Sequence, residues 1–408
     1  MKKLIKTKGT EFEQNGYDLA IIDTNFREGK PIMLNSKDLD MAILNGEQEA
    51  LDKIESDFQL PDTGIIYTAW NAEGFPTAVD IKGIETVPDY LFDRYNSSYS
   101  SGVGKYLTTV NIDNGIKTIG KYSFAKLESL DNFIMPKNVE NIGSYAFCGC
   151  TSLKYLEFGD TPIYFGSAGL YAYTFQDCKN LKVNKIPDPS NGILPNNLFS
   201  GCTSLDNDTL PDSITHIGSN CFYECTNATF KELPKGLTTL YSSAFYKCNN
   251  VQFSEYPEAL TEVPDSCFVN CYNVKFKTFP NVKVVQQRAF SNCRGLTQIS
   301  APLLEDVGGS AQGNPAFNGC TNLRAMWIGS AWKNSGASYS GSWDFYGSGL
   351  KYLFINKPRA EVEAISGYSA KWSGSAGNAP NLNIICNDDA NWVDQATFDS
   401  IDWTTHTL

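Results

Sequence analysis

A phenylalanine followed three residues later by a cysteine recurs through most of the chain, and that recurrence limits what the sequence can fold into. The phenylalanines are Phe92, Phe124, Phe147, Phe175, Phe199, Phe222, Phe245, Phe268, Phe290, Phe317 and Phe345. From Phe124 onward, the third residue after them is Leu127, Cys150, Cys178, Cys202, Cys225, Cys248, Cys271, Cys293, Cys320 and Ser348. The usual interval is 22–24 residues, with longer units ending at Cys178, Cys320 and Ser348. A segment that short cannot bury an apolar face alone; only stacking on neighbours of the same kind closes a core. In such a stack phenylalanine supplies interior bulk. Cysteine acts as a small, readily buried residue beside a tight turn.

A second signature lies upstream of the phenylalanine. It reads IKTIGKYSF (116–124), VENIGSYAF (139–147), ITHIGSNCF (214–222) and LTEVPDSCF (260–268), and IETVPDYLF (84–92) fits it too. The array is therefore expected to begin near residue 81. A period of 20–29 residues with aliphatics spaced LxxL and one short strand per unit points to a leucine-rich-repeat solenoid. The composite pattern I/L-x-x-I-G-x-x-A-F-x-x-C-x-x-L…L-P resembles the BspA-like class of leucine-rich repeats, in about ten or eleven units. The expected fold is thus a repeat α/β solenoid of mainly short parallel strands and turns. It would form a curved right-handed coil over residues 81–357, with non-repeat caps at 1–80 and 358–408. The resemblance implies a surface adhesin that binds host matrix proteins or other cells.

The strand is expected just after the cysteine. LKYLEF (153–158) and LRAMWI (323–328) put apolar residues at the third, sixth and eighth places after it. NATFKELP (227–234), NVQFSEYP (250–257) and NVKFKTFP (273–280) use the third, fifth and eighth, which leaves open which side chains of the middle coils face outward. Proline closes many of these stretches, where its missing N–H helps to stop a strand.

Twelve cysteines could also mean metal sites or a disulfide framework. Leu127 and Ser348 stand in the cysteine slot without disturbing the pattern around them, which a ligand or a bridge would not tolerate. Cys221 and Cys267, which make CxxxC pairs with Cys225 and Cys271, take the place of Ala146 and Ala244. With His216 and His406 as the whole histidine complement, mixed Cys/His zinc sites have little to build on. The expectation is free buried thiols, no metal and no cofactor, in a reducing compartment or a chain that never oxidises.

The flanks carry their own signals. In residues 1–80, YDLAIID (17–23) and IIYTAW (65–70) read as strands, and residues 36–58 read as a helix with Leu51, Ile54 and Phe58 on one face. This region caps the first coil or attaches the solenoid to something larger. Six of seven tryptophans, Trp327, Trp332, Trp343, Trp372, Trp392 and Trp403, lie in the last fifth among Gly/Ser-rich loops. Such rings seal the final coil or form a recognition surface, because aromatic area binds at low entropic cost. Members of the family it resembles often end with a short helical element similar to KPRAEVEAISGYSAKWS (357–373), which favours the cap. Insertions in the longer coils emerge on one face of a repeat protein and often bind. Tyr164, Phe165, Tyr171, Tyr173, Trp332, Tyr339 and Trp343 are the ligand-binding candidates on that ground.

Several function classes are excluded. Formal net charge is −12 without a long basic run, which argues against a nucleic-acid partner. No window approaches the ~20 apolar residues of a membrane span. No secretory signal is visible, so an intracellular or virion-associated location is expected, with the cell surface suggested by family resemblance. His216 sits in a polar slot of the repeat, and Asp388–Asp389 has no matching site. SSGVGK (100–105) lacks the phosphate-loop spacing. No catalytic constellation emerges. The expected function is non-catalytic recognition or adhesion toward a protein or glycan ligand, host-derived ligands included. The alternatives are a phage tail or receptor-binding component docked by its N-terminal region, and an intracellular interaction scaffold.

Overall fold

The computed structural model describes residues 2–6, 19–23, 32–34, 65–71, 76–92, 106–166, 171–307, 315–333, 345, 347–365 and 382–408. These fall into two compact units, Met1–Pro187 and Asp188–Leu408, each taken by itself. The helix expected over 36–58 and the segment 100–105 lie outside the described residues.

Both units are β-solenoids whose coils repeat three backbone sides. The first side is the I-x-x-I-G stretch before the phenylalanine. In the first unit it supplies the parallel strands Thr86–Val87, Thr118–Ile119, Asn141–Ile142 and Tyr164–Phe165, in register one coil apart. Val87, Ile119, Ile142 and Phe165 make the inward row. In the second unit the same side gives Ile193–Leu194, His216–Ile217 and Thr239–Leu240, then Glu262–Val263, Val284–Val285 and Asp306–Val307. The glycine of this motif is required by close approach. A Cβ on Gly143 would lie 2.5 Å from the Lys121 amide nitrogen, and one on Gly218 would lie 2.5 Å from that of Asn196.

The second side is the corner that carries the phenylalanine. Two of its residues adopt the left-handed conformation: one two places before the phenylalanine, as in Tyr122 (φ 55°) and Ser243 (φ 57°), and one two places after, as in Lys126 (φ 56°) and Lys247 (φ 58°). Non-glycine residues enter that region at a cost. Here the alternation aims every second N–H along the stack. Tyr122, Phe124 and Lys126 donate to the Ser144, Ala146 and Cys148 carbonyls of the next coil at 3.0, 2.9 and 2.7 Å. Ser243, Phe245 and Lys247 do the same to Asp265, Cys267 and Val269 at 2.9, 3.0 and 2.7 Å. The bonds of the first side run the other way, from the later coil back to the earlier one, as Gly143 N–H to the Ile119 carbonyl at 2.8 Å shows.

Inside this corner the expected columns stand. In the first unit Phe92, Phe124, Phe147 and Phe175 follow one another at centroid separations of 6.0, 5.2 and 5.4 Å. In the second, Phe199, Phe222, Phe245, Phe268, Phe290, Phe317 and Phe345 follow at 5.5–6.0 Å. All are buried, as are Cys150, Cys178, Cys202, Cys225, Cys248, Cys271, Cys293 and Cys320. The thiols do more than fill space. Cys178 Sγ donates to the Phe147 carbonyl of the preceding coil at 3.1 Å, and Cys271 Sγ to that of Phe245 at 3.0 Å. Ser348, in the same slot, turns instead to the carbonyl of its own coil's Phe345 at 2.6 Å.

All twelve cysteines are free and buried. Burial raises the pKa of thiols such as Cys225 and Cys271; the Cys320 thiol is raised to about 12 and the less enclosed Cys386 to about 11. Since the thiolate is the reactive form, a chromogenic disulfide reagent at pH 8 is expected to find almost no thiol in the native protein. In denaturant it should find all twelve. Rapid native reaction of several thiols would contradict this packing.

The third side follows the cysteine and is strand-paired along part of each unit; Lys182–Val183, with apolar places three, five and eight after Cys178, still pairs in parallel with Tyr155–Leu156. In the first unit Ile65–Trp70 lies antiparallel on Pro76–Ile81, which pairs in parallel with Thr109–Ile112, and that in turn with Asn132–Phe133. In the second, Gln298–Ala301, Ala325–Ile328, Tyr352–Ile355 and Asn383–Cys386 form one parallel ladder. Parallel pairing thus reaches beyond residues 81 and 357 at both ends. Between them, 227–234, 250–257 and 273–280 form no strand. Phe230, Phe253 and Phe276, at the fifth place, turn fully inward. Coil-to-coil bonding there includes Gln252 N–H to the Phe230 carbonyl at 2.8 Å and Lys275 N–H to that of Phe253 at 2.7 Å.

The N-terminal strands Lys2–Lys6, Leu19–Asp23 and Ile32–Leu34 form an antiparallel meander. At the other end, the helix Gln395–Ser400 starts at Asp394, whose carboxylate accepts from Thr397 N–H at 2.8 Å. Phe398 and Trp403 then cover the outward face of the last ladder, over Ala325, Trp327, Phe354 and Ile385. The expected element over 357–373 contains the helix Arg359–Glu363; residues 366–381 lie outside the described residues.

Candidate functional site

The left-handed position two before the phenylalanine is where the first unit becomes distinctive. Four coils in succession place a tyrosine there: Tyr90, Tyr122, Tyr145 and Tyr173, all at positive φ. One coil's rise brings each ring onto the next. The centroids are 5.3, 4.5 and 4.6 Å apart and the planes differ by 9°, 6° and 8°. Tyr171 extends the array from the same coil as Tyr173, at 6.4 Å and 11°, and is 66% exposed. In the second unit this slot holds Asn197, Asn220, Ser243, Ser266 and Arg288. The backbone there is the same but the surface is not.

The ladder is partly buried along its length and open on its rim. Its neighbours raise the Tyr145 phenol to about 12, chiefly through burial, with Tyr122 and Tyr173 on either side adding to it. The Lys121 ammonium lies 5.6 and 5.4 Å from the Tyr90 and Tyr122 ring centroids. A hydrogen bond with Tyr90 raises its pKa above that of an ordinary lysine. The strip is therefore an aromatic rim with hydroxyls and one cation at its N-terminal part.

The sequence-derived candidates separate on this structure. Tyr171 and Tyr173 join the ladder. Tyr164 stands partly exposed on the strand Tyr164–Phe165, beside Asn141. Phe165 and Trp332 are buried, at 4% and 0% exposure, so both rings serve the interior. The insertion loops put both rings at the surface, but Phe165 falls on the inward place of a strand and Trp332 is fully enclosed. Tyr339 and Trp343 lie outside the described residues. Of the other C-terminal tryptophans, Trp327 and Trp403 are buried and Trp392 is partly buried in the cap cluster. Sequence reasoning missed Tyr90, Tyr122 and Tyr145. Their signal was a tyrosine two residues before the phenylalanine in PDYLF, KYSF and SYAF. It is legible only once that slot is known to face outward and stack.

Two smaller features belong to the second unit. Tyr223 and Tyr246, directly after their phenylalanines, stack at 4.7 Å with Lys247 over Tyr246 at 5.5 Å. A cavity of about 590 Å³ runs past Glu232, Glu255, Tyr256, Pro257, Glu258 and Pro280, where the third side is irregular. His216 sits in a strand, its Nδ1 2.9 Å from the Thr215 hydroxyl. Among the described residues no cluster of three or more metal-ligating side chains occurs. No helix among them is long and apolar enough to cross a membrane.

Stacked short parallel strands with phenylalanine and thiol columns define a leucine-rich-repeat solenoid, which carries a row of partly exposed tyrosines on one corner of its first unit. The chain belongs to the BspA type leucine-rich-repeat family, which matches in six copies over residues 85–188 and 168–297. Solved structures similar to it include a leucine-rich repeat protein from Bacteroides ovatus, 23% identical, covering 61% of this chain and 66% of that one at a TM-score of 0.41. The chain thus spans just under two thirds of that relative's length. A leucine-rich cell surface protein from Faecalibacterium prausnitzii is 19% identical, with 83% and 96% coverage and a TM-score of 0.41. The pneumococcal vaccine antigen PcpA is 16% identical, with 79% and 84% coverage and a TM-score of 0.44. No curated protein matches the chain by sequence.

Proposed function

We propose that this chain is a non-catalytic recognition and adhesion protein that holds a protein or glycan ligand against the outer surface of its coils. The carrying observation is the tyrosine ladder. The slot asks only for a residue that tolerates positive φ, as Asn197, Asn220 and Ser243 do in the second unit. Four tyrosines in a row therefore place large, partly exposed aromatic area where the fold has no need of it. Tyrosine is enriched in binding hot spots because it brings area and a polar tip at little entropic cost. Membership of a repeat family suited to recognition supports the same reading.

The test uses the full chain against immobilised matrix proteins and glycans, compared with a Tyr122→Asn/Tyr145→Asn variant. Asparagine is the substitution of choice because the second unit already carries it in this slot. Loss of two hot-spot rings is expected to weaken capture at least about tenfold, with the far-ultraviolet spectrum and melting temperature retained. Full-strength capture of every ligand by the variant would remove the ladder from the function.

A further inference from the structure

We infer that the tyrosine ladder is an oxidative cross-linking site, at which hydrogen peroxide acting through a haem peroxidase joins Tyr122 to Tyr145 as dityrosine and staples two coils together. This goes beyond the recognition reading and does not rest on it. Ring geometry carries it. The Tyr122 and Tyr145 centroids are 4.5 Å apart with planes 6° from parallel, and the Tyr145 phenol is hydrogen-bonded to that of Tyr122. A phenoxyl radical spreads its unpaired electron over the oxygen and the ring carbons ortho and para to it. The para carbon already carries the link to the backbone, so coupling falls to the ortho carbons. Those flank the carbon that bears the hydroxyl. Hydroxyls in contact over near-parallel rings therefore bring the ortho carbons of one ring beside those of the next. Both side chains are partly exposed, which leaves the rim room to tilt as the bond forms.

The step balances. Each phenol gives one electron and one proton to the oxidant, and one peroxide takes up both pairs to become two waters. The two radicals join through one new carbon–carbon bond between ortho carbons. Each of those carbons then passes its hydrogen, as a proton, to its own ring's oxygen, which restores two phenols. The ladder favours this outcome in two ways. Rings already in contact need no diffusion to meet, so coupling within the stack outpaces coupling between chains. The row also lets a radical formed elsewhere on it reach the pair by electron transfer between adjacent rings. Tyr90 stacks on Tyr122 at 5.3 Å, Tyr173 on Tyr145 at 4.6 Å, and the 66% exposed Tyr171 on Tyr173 at 6.4 Å. The new bond would restrict the unfolded chain as a disulfide between the same coils does.

The full chain is treated with hydrogen peroxide and a plant haem peroxidase, digested with trypsin and mapped by mass spectrometry. The product sought is YSFAK (122–126) joined to NVENIGSYAFCGCTSLK (138–154), each of which holds one tyrosine. It is expected at the summed mass less two hydrogens, from chains that stay monomeric on a denaturing gel. Its yield per chain should hold steady when the protein is diluted, whereas coupling between chains would fall about tenfold for an about tenfold dilution. Tyr122→Phe/Tyr145→Phe keeps the stacked rings and removes the phenols. This variant should lose the joined peptides and keep the native melting temperature, which fixes the assignment. Absence of the joined pair in the native chain, or a yield that falls with dilution, overturns the inference. So does a scatter of links among exposed tyrosines such as Tyr155, 50% exposed, with no preference for the stacked pair.

Discussion

Phe245→Ala is expected to destabilise the second unit by about 3–5 kcal/mol, the range for a large aromatic removed from a packed core. The ring is fully buried. It stacks between Phe222 and Phe268 at 5.5 and 5.8 Å and meets the edge of Phe253 at 5.0 Å. No side chain can swing in from elsewhere, because each coil holds its own phenylalanine by the corner hydrogen bonds of Phe245 N–H to Cys267 and Phe268 N–H to Ala289. The cavity therefore stays open, and its cost approaches the upper part of the range. A stack of repeats holds together through nearest-neighbour contacts, so the damage should also loosen the coupling between coils on either side. Urea unfolding followed by tyrosine and tryptophan fluorescence would show a lower midpoint and a broader transition. A shift of less than about 1 kcal/mol would mean that the column is not the structural spine described here.

Trp403→Ala should cost a comparable amount, about 3–5 kcal/mol, but for a different reason. Trp403 is 1% exposed although it lies five residues from the last one in the sequence. It packs on Phe354 and Phe398 at 5.1 Å each, and its indole N–H donates to the Phe398 carbonyl at 3.0 Å. The strands beneath it are apolar on both faces: Ala325–Ile328 is buried at all four positions. Removing the indole would open the outward face around Trp327 and Phe354 to water. The measurement is a thermal melt with tryptophan emission recorded in parallel. A lower midpoint and a red-shifted native spectrum are expected, and neither should appear if residues 392–403 only lie loosely on the sheet.

Much of this was legible in the residues. The period, the inward phenylalanine and thiol columns, and the strand at 65–70 all follow from spacing and from burial of apolar groups. The thiol's second role was not legible. A cysteine can be seen to tolerate replacement by Leu127 or Ser348, but that its S–H reaches the carbonyl of the coil before depends on the rise between coils. The third side of the middle coils was open for a similar reason. Phe230, Phe253 and Phe276 at the fifth place signal a departure from the pattern, yet only packing shows that they turn inward and leave the segment without strands.

The candidate site divides in the same way. Insertion loops pointed to Tyr171 and Tyr173, which do stand at the surface, and to Phe165 and Trp332, which do not. Loop composition reports that rings are present, not which way they face. The main aromatic strip comes from the repeat itself, from an unspecified position of the I-G-x-x-A-F pattern.

What the sequence determined unaided is the coil: its length, its buried contents and its need for like neighbours, since these depend on hydrophobic periodicity within one chain segment. What only the tertiary structure decided is the surface. Residues about 23–32 apart in sequence become neighbours at 4.5–5.3 Å when coils stack, and tyrosines widely separated along the chain become one continuous ladder. Stacking turns a periodic position into a column, and the column is what a partner can touch.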